Sequence, residues 1–211
     1  MRSYSIDERV FDKLNANSLY WLGFIVADGY VKSNKDKTNR IKLEVKLDDK
    51  EQIYKFIDFV QCNKTPDVFY RTSKNGKTLG VCRVEIFSAH IIGKLREYNI
   101  YSPKSDILLD KTDLINSIDF WRGYIDGDGS WSLNKTRGKT YYRLQLCSCN
   151  QDLLAKFITF AEQYIGKIRP KISSIPQENT KIIRINGKQA KILFDILYYK
   201  GCLCLTRKNC Y

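Results

Sequence analysis

Two stretches of this chain repeat the same phrase: YWLGFIVADGYV at residues 20–31 and FWRGYIDGDGSW at residues 120–131. When they are aligned with an offset of 100, five positions are identical and two more are aromatic in both. The identical pairs are Trp21/Trp121, Gly23/Gly123, Ile25/Ile125, Asp28/Asp128 and Gly29/Gly129. A repeat at this long period predicts a chain built from two related units.

The similarity between the two units continues beyond the phrase. The segment LEVKLDDKEQIYKFIDF (43–59) aligns with LQLCSCNQDLLAKFITF (144–160), and NIYSPKS (99–105) aligns loosely with LCLTRKN near the end. We therefore predict an N-terminal arm at 1–13, a first half at 14–105, a linker at 106–115 and a second half at 116–211. The segment that joins the halves, SPKSDILLDKTDLIN (102–116), has the polar and proline-containing character expected of a connection.

Each half shows the same pattern of secondary structure, which is typical of an α+β fold with antiparallel sheets. The phrase forms a helix that ends at glycine, and a hairpin follows. In RIKLEVKL (40–47) the apolar and polar residues alternate, as in a strand with one buried face. The order αββαββα is predicted twice, with later helices near 49–61, 88–98, 150–165 and 187–199, and strands at 67–73, 80–87, 141–148, 167–174 and 180–186.

Small residues lie four apart on each phrase helix, Gly23 with Ala27 and Gly123 with Gly127. Residues at this spacing share one helix face, and small side chains there let two helix backbones approach closely. We expect the two phrase helices to pack against each other at the interface of two halves related by pseudo-two-fold symmetry.

The aspartates of the phrase, Asp28 and Asp128, stand at the C-terminal ends of these helices. A carboxylate is disfavoured there by the helix dipole, and the last carbonyls of a helix lack partners. Two acids with carbonyl oxygens nearby would suit Mg²⁺, which prefers oxygen ligands. The alternative is a simple Asp-Gly turn with packing glycines. Two copies at equal spacing in a basic chain favour the metal site.

The charge of the chain points to an anionic partner. Lys and Arg total 36 against 23 Asp and Glu, giving a net charge of +13 and a pI near 9.4. Such an excess favours nucleic acid or an anionic membrane surface. The membrane is the weaker hypothesis, because no apolar run approaches the roughly 18–20 residues that span a bilayer. The N-terminus has no apolar segment typical of a signal peptide.

Cysteine and histidine usage argues against zinc chemistry. Seven cysteines accompany one histidine, His90, and the pairs Cys147/Cys149 and Cys202/Cys204 have C-x-C rather than C-x-x-C spacing. Reduced thiols in an intracellular protein are the better interpretation.

The two phrases resemble the motif of the LAGLIDADG homing endonucleases, and the resemblance covers nearly the whole chain apart from the first dozen residues. Two copies in one chain resemble the monomeric branch of that family. The resemblance implies motif helices at the interface and eight strands forming a saddle in the DNA major groove. It also implies cleavage of both strands across the minor groove, leaving 3′ overhangs, with Mg²⁺ as cofactor and Mn²⁺ or Ca²⁺ able to substitute in binding.

The resemblance also assigns the metal site. Asp28 and Asp128 become the metal ligands, and the carbonyls of Ala27 and Gly127 become helpers. Asp126 also matches the family pattern, but its counterpart in the first half is a valine, so no catalytic role is given to it.

Basic residues near the end of each half are expected close to the scissile phosphates, where a cation offsets developing charge. Lys104 fits in the first half, and Arg207 or Lys208 in the second. The alternative for each of these three residues is a solvated cation on the surface with no role at the phosphates. Asp49 and Asn150 begin the helices after the hairpins and by analogy could order the attacking water. We favour the alternative that they are N-caps.

The outward faces of the strands are expected to contact DNA. Arg and Lys suit guanine, Gln suits adenine and Glu can accept from cytosine. Glu44 is the acid on an otherwise basic strand face, and its alternative role is a cross-strand ion pair. The candidates are Lys32, Arg40, Lys42, Glu44, Lys46, Arg71 and Arg83 in the first half, and Ser132, Asn134, Tyr141, Arg143 and Gln145 in the second.

Because the two faces differ in sequence, an asymmetric double-stranded target of on the order of 20 base pairs is expected. Two alternatives stay open: an intron RNA maturase on the same scaffold, and a DNA-binding regulator without catalysis. Retention of both Asp28 and Asp128 argues against the regulator. The abundance of Lys, Ile, Asn and Tyr is typical of an AT-rich genome, so we expect an organelle, mitochondrion or chloroplast, or a microbial cytoplasm.

Overall fold

The computed structural model describes residues 4–32, 39–73, 75–136, 138–170, 172–174 and 180–208. Within these ranges the chain forms two units of α+β structure, each with the order αββαββα, and this confirms the predicted fold class.

The first unit begins with the helix of the repeated phrase, α1 (Ala16–Asp28), whose N-cap Asn15 accepts hydrogen bonds from the amides of Asn17 and Ser18. A 3₁₀ turn at Leu47–Asp49 precedes the second helix. The remaining elements are β1 (Tyr30–Lys32), β2 (Arg40–Lys46), α2 (Lys50–Phe59), β3 (Asp67–Thr72), β4 (Thr78–Phe87) and α3 (Ala89–Glu97).

The second unit repeats this order after a short helix, α4 (Thr112–Ile115), which lies inside the predicted linker. Its elements are α5 (Ile118–Asp128), β5 (Gly129–Thr136), β6 (Lys139–Ser148), α6 (Gln151–Ile165), β7 (Ser173–Ser174), β8 (Lys181–Asn186) and α7 (Gly187–Leu197). The boundaries of the arm, the two halves and the linker stay predictions. Residues 1–3 of the arm and 209–211 of the second half lie outside the described residues.

Each unit contains one four-stranded antiparallel sheet, in the orders β1-β2-β4-β3 and β5-β6-β8-β7. The alternation in the second strand behaves as predicted, since Ile41 and Leu43 are buried against the helices. The opposite face, which carries the polar side chains, is left for solvent or a partner.

The helices α1 and α5 pack against each other at the centre of the molecule, and glycine makes their closest approach possible. A Cβ atom on Gly23 would overlap the carbonyl oxygen of Phe120, and one on Gly123 would overlap the carbonyl oxygen of Tyr20. The two clashes are related by the same offset of 100 residues, so the predicted pseudo-two-fold contact between the helices is present.

Gly29 and Gly129, which follow the ends of these helices, allow the chain to pack closely against the preceding helical turn. Gly29 has φ −73° and Gly129 has φ −102°, both in the extended region, so neither adopts the left-handed conformation common after helices. A side chain would instead meet the preceding turn, because a Cβ on Gly29 would lie 2.5 Å from the carbonyl oxygen of Ile25.

The predicted strand at 167–174 is wrong over most of its length, because the observed strand is only Ser173–Ser174. The chain turns at Gly166 with φ +72°, and Pro170 has no amide hydrogen for a sheet. The amide of Ile168 instead donates to the side chain of Glu162 at 3.0 Å. Lys171 lies outside the described residues.

The N-terminal arm packs on the first unit, where Phe11 is fully buried with its ring 5.5 Å from that of Phe59. Among the described residues, none of the helices combines the length and the apolar character that crossing a membrane requires.

Candidate metal and nucleic-acid site

The two phrase aspartates meet where α1 and α5 end side by side. A Cβ atom placed on Gly127 would lie 3.2 Å from Oδ2 of Asp28, so the Asp28 carboxylate lies against the last turn of α5. Neither Asp28 nor Asp128 has a hydrogen-bond or ion-pair partner among the residues that the structure describes.

Crowding changes the acidity of both groups. Loss of water around Asp128, reinforced by the charge of Asp28, raises its pKa to about 7, although Lys104 and Lys208 oppose the shift. The pKa of Asp28 is also raised by desolvation, against the opposing charges of Lys104, Lys208 and Arg207. Asp28 still has solvent access on its cleft side.

A divalent cation bound between these two unpartnered carboxylates would offset the cost of ionising both of them, since its positive charge favours their ionised forms. The described ranges contain no group of three or more His, Cys, Asp or Glu that could hold a metal ion. An ion here would therefore be held by the two carboxylates with backbone oxygens, and these hard donors fit Mg²⁺ or a similar cation.

The predicted lysines lie at the ends of the same helices. Lys104 donates from Nζ to the carbonyl of Ala27, an oxygen that was expected to assist a metal. Lys208 is buried, with 2% of its surface exposed, and donates to the carbonyls of Ile125, Asp126 and Gly129 at 2.6–2.7 Å. Burial lowers the pKa of Lys208 to about 8.

The two residues that follow the hairpins have different roles. Asn150 caps α6 by accepting from the amide of Leu153 at 3.1 Å, and it donates to the carbonyl of Ile107 at 2.6 Å. Asp49 makes no capping hydrogen bond and accepts instead from Nε of Arg207, at 2.8 and 3.0 Å to its two oxygens. The N-cap interpretation is thus confirmed for Asn150, whereas Asp49 occupies the N-cap position of α2 without a capping hydrogen bond. Water positioning by either residue stays a prediction.

Asp126, for which no catalytic role was predicted, is the centre of a buried network. Its carboxylate accepts from the hydroxyls of Tyr20 and Tyr198 at 2.7 and 2.6 Å, and from the amide of Leu205 at 2.6 Å. Gln52 in turn donates to the Tyr20 hydroxyl at 2.6 Å. Burial raises the pKa of Asp126 and also those of both tyrosines.

The sequence contains a signal for this network that the repeat analysis did not use. Three of its members are polar where the aligned residue of the other half is apolar. The mismatched pairs are Asp126/Val26, Tyr20/Phe120 and Gln52/Leu153. A buried polar side chain needs a hydrogen-bond partner even where the aligned residue of the other half is apolar. Here the three polar side chains bond to each other across the interface.

Asp28 opens into a cleft of about 400 Å³ that continues onto the first sheet. Its walls include Asp28, Gly127, Asp49 and Arg207 from the helix ends, and Glu44, Lys46 and Arg71 from the strands. The Asp28 carboxylate therefore faces the same groove as Glu44, Lys46 and Arg71, which are predicted to contact DNA.

The three arginines of the first sheet face are each paired with an acid. Arg71 forms a two-pronged ion pair with Glu44 at 2.6 and 2.9 Å, so the ion-pair alternative for Glu44 is present in this structure. Two guanidinium groups lie over the ring of Phe69, with Cζ of Arg71 at 4.9 Å and Cζ of Arg83 at 4.8 Å from the ring centroid. Two further ion pairs join Arg40 to Glu85 at 2.7 Å and Arg83 to Asp67 at 3.1 Å.

The second sheet face holds its arginines with neutral partners. Arg143 donates to the side chain of Asn186 at 2.7 Å, and Arg184 donates to Gln145 at 2.8 Å. Strands β5 to β8 contain no Asp or Glu, so the positive charge of this face is not neutralised within the sheet. Arg184 and Asn186 were missed by the sequence analysis, although the alternation in 180–186 places them on the polar face.

The other predicted DNA-binding residues have the expected placement. Register puts Lys32 opposite Arg40 and Lys42 opposite Glu85 in the first sheet, and Ser132 opposite Arg143 and Asn134 opposite Tyr141 in the second. These residues line the polar faces of the two sheets. Their contact with DNA stays a prediction.

No protein-family model matches the chain, and no curated protein matches it in sequence. Solved structures do share its fold. The homing endonuclease I-WcaI bound to its DNA recognition sequence superposes with a TM-score of 0.68 at 16% identity, covering 97% of this chain and 92% of that one. The chain therefore has the two-unit fold of the LAGLIDADG homing endonucleases.

Two further structures show the range of this fold. I-SmaMI bound to an uncleaved DNA target in the presence of calcium ions matches with a TM-score of 0.51 at 15% identity, over 90% of this chain and 83% of that one. The N-terminal LAGLIDADG domain of DUF199/WhiA matches with a TM-score of 0.53 at 17% identity, over 93% and 84%. The fold alone does not define an activity, so the function of this chain has to be argued from the residues of its site.

Proposed function

We propose that this protein is a monomeric, divalent-metal-dependent endonuclease that hydrolyses both strands of a long, asymmetric double-stranded DNA target and leaves 3′ overhangs. One observation carries the proposal. Two unpartnered carboxylates, one from each half, converge at the abutting ends of α1 and α5, and Asp28 opens onto the polar face of the first sheet. The DNA-bound endonucleases that share the fold support this assignment.

The side chains of Asp28 and Asp128 would hold the cation, since they are the last residues of α1 and α5 and both lack partners in the described part of the chain. A divalent ion bound there would activate water and stabilise charge on the leaving oxygen. Lys104 and Arg207 lie close enough to influence the acidity of Asp28, so they add positive charge where a scissile phosphate would enter.

The two sheets would hold the DNA on either side of this centre. A net charge of +13 favours phosphate contacts and makes affinity strongly dependent on salt. Arginine, glutamine and asparagine on the polar faces provide donors and acceptors that match base edges in the major groove. Because the first face pairs its arginines with acids and the second with amides, the two half-sites would differ in sequence.

A DNA-binding protein without nuclease activity is the second candidate, because the chain also resembles the LAGLIDADG domain of DUF199/WhiA. Both candidates predict binding to duplex DNA. They differ in cleavage: the endonuclease needs Asp28 and Asp128 to cut the bound DNA, whereas the DNA-binding protein does not cut it.

The test is a cleavage selection on a randomised duplex library with Mg²⁺, followed by the variants Asp28→Asn and Asp128→Asn. Each variant is expected to bind the selected duplex with nearly wild-type affinity and to lose cleavage. The charge-matched control Asp195→Asn, on the far surface of α7, should leave cleavage unchanged. Binding by the wild-type protein with no cleavage of any sequence would support the regulator instead.

A further inference from the structure

The last described residues of the second half form a terminal strap, Cys202–Lys208, that both halves hold. From the first half, Lys55 donates to the carbonyl of Cys204 at 2.9 Å and to the hydroxyl of Thr206 at 3.0 Å. From the second half, buried Arg122 donates to the carbonyl of Leu203 at 2.7 Å. With the Leu205 amide also bound by Asp126, the backbone of the strap is fixed up to the residue before Arg207.

The two cations at the end of the strap are used in different ways. An ammonium group has three N–H donors, and the three carbonyls bound by Lys208 account for all of them. Lys208 therefore closes the end of α5 and has no donor left for a phosphate. Lys104, its counterpart in the first half, is only half-buried and binds one carbonyl.

Arg207 is held by one of its nitrogens and keeps the others available. Its Nε is clamped between the two oxygens of Asp49, while 58% of the side chain is exposed. A guanidinium has four further N–H donors on its terminal nitrogens. None of them has a partner in the part of the chain that the structure describes.

Asp49 is free to hold Arg207 because it does not cap α2. Its side chain is mostly buried, with 11% exposed, and its direction is set by the 3₁₀ turn that precedes the helix. Both residues line the cleft that contains Asp28. The contact also crosses between the halves, so it is made only when the two units are docked.

We propose that Asp49 is a positioning residue that fixes the guanidinium of Arg207 in the cleft, so that Arg207 and not Lys208 is the phosphate-binding cation contributed by the second half. The proposal rests on the proposed nuclease function. Clamping at Nε removes most of the rotational freedom of a long side chain before DNA arrives, which lowers the entropic cost of phosphate binding.

The experiment measures the single-turnover cleavage rate constant and the DNA dissociation constant on a duplex that the wild-type protein selects from the randomised library. Arg207→Ala is expected to lower the rate constant about 100-fold, with a change in the dissociation constant of less than about tenfold. Asp49→Asn is expected to lower the rate constant about tenfold. Adding it to Arg207→Ala should have no further effect, because its target is gone.

Two more variants separate positioning from structural support. Asp49→Glu keeps the carboxylate and should recover cleavage relative to Asp49→Asn. Lys208→Met should lower the thermal unfolding temperature, whereas the Asp49 and Arg207 variants should unfold near the wild-type temperature. Asp195→Asn again serves as the charge-matched control.

The outcomes are distinguishable. Rate losses of Asp49→Asn and Arg207→Ala that multiply in the double variant would show that Asp49 acts independently of Arg207, and would overturn the proposal. Wild-type cleavage by Arg207→Ala would do the same. Failure of the wild-type protein to cleave any library member would instead remove the proposed function, and the positioning role with it.

Discussion

The hydroxyl of Tyr20 donates a 2.7 Å hydrogen bond to the buried carboxylate of Asp126, and this bond joins the two halves of the molecule. Tyr20 lies on α1 and Asp126 on α5, so the contact lies within the interface that also brings Asp28 and Asp128 together. The same hydroxyl accepts from Gln52 of α2 at 2.6 Å. The geometry of the candidate site therefore depends on polar residues beneath it.

Substitution of Tyr20 by Phe, the residue at the aligned position of the second half, should destabilise the protein. The change removes a donor to a buried carboxylate and leaves the amide of Gln52 without its acceptor. Hydrogen bonds to charged groups contribute about 1.5–3 kcal/mol, and urea denaturation should show a loss in this range. Exposed Tyr54 offers the control, since Tyr54→Phe should change the stability by less than about 0.5 kcal/mol. Equal stability of the two variants would contradict the structural role of the network.

Gly23→Ala should separate the two central helices. The added methyl group would overlap the backbone of α5 at Phe120, and backbone atoms cannot move aside as a side chain can. We expect a loss of more than about 2 kcal/mol in the free energy of unfolding. Gly93, in the exposed part of α3, has no atom within 4 Å of an added Cβ, so Gly93→Ala should instead stabilise the protein by up to about 1 kcal/mol. A mild effect at Gly23 would mean that the helices are not in close contact.

The stability of the metal-free protein should fall as the pH rises from about 4 to about 7. The folded state holds a proton on Asp128 up to a pKa of about 7, whereas the unfolded chain releases it near 3.8. Between these values the folded state binds more protons, so raising the pH favours unfolding. Urea denaturation in EDTA at several pH values measures this slope. In Asp128→Asn the slope should be smaller, and an unchanged slope would show that the titrating group lies elsewhere.

Glu44→Gln should increase the affinity for nonspecific duplex DNA and steepen its salt dependence. The substitution removes a negative charge from the first sheet face and releases Arg71 from its ion pair. One additional phosphate contact changes the slope of log affinity against log salt by about 0.9. The control Glu97→Gln makes the same change in net charge on α3, where Glu97 pairs with Lys94, and should leave the slope unaltered. The measurement is a fluorescence-anisotropy titration over a range of salt concentrations.

Much of the fold followed from pattern alone. The two phrases predicted paired helices because small residues recur at helical spacing, and the alternation in 40–47 predicted a strand with one buried face. The secondary-structure prediction failed where strand-forming and strand-breaking residues lie close together. In 167–174 the apolar residues suggested a strand, but Pro170 and the turn at Gly166 limit pairing to two residues.

The candidate site was only partly visible in the sequence. Asp28 and Asp128 were identified because the repeat places them at the same point of each unit. The choice between Arg207 and Lys208 could not be made from adjacent letters, since both are basic and both lie near the end of the chain. Our proposal assigns the role to Arg207 on the basis of burial, because buried Lys208 spends its donors on backbone carbonyls and Arg207 keeps free donors.

Residue spacing alone predicted the repeated halves, the helix-to-helix contact and the paired acids, because each of these depends on residues within one element. The partners of Asp49, Asp126 and Lys208 depend instead on how the whole chain folds. Those partners lie 72 to 158 residues away along the chain, so spacing within one element does not reveal them. The contacts of Asp49 with Arg207 and of Asp126 with Tyr20 form only when the two halves dock and exclude water.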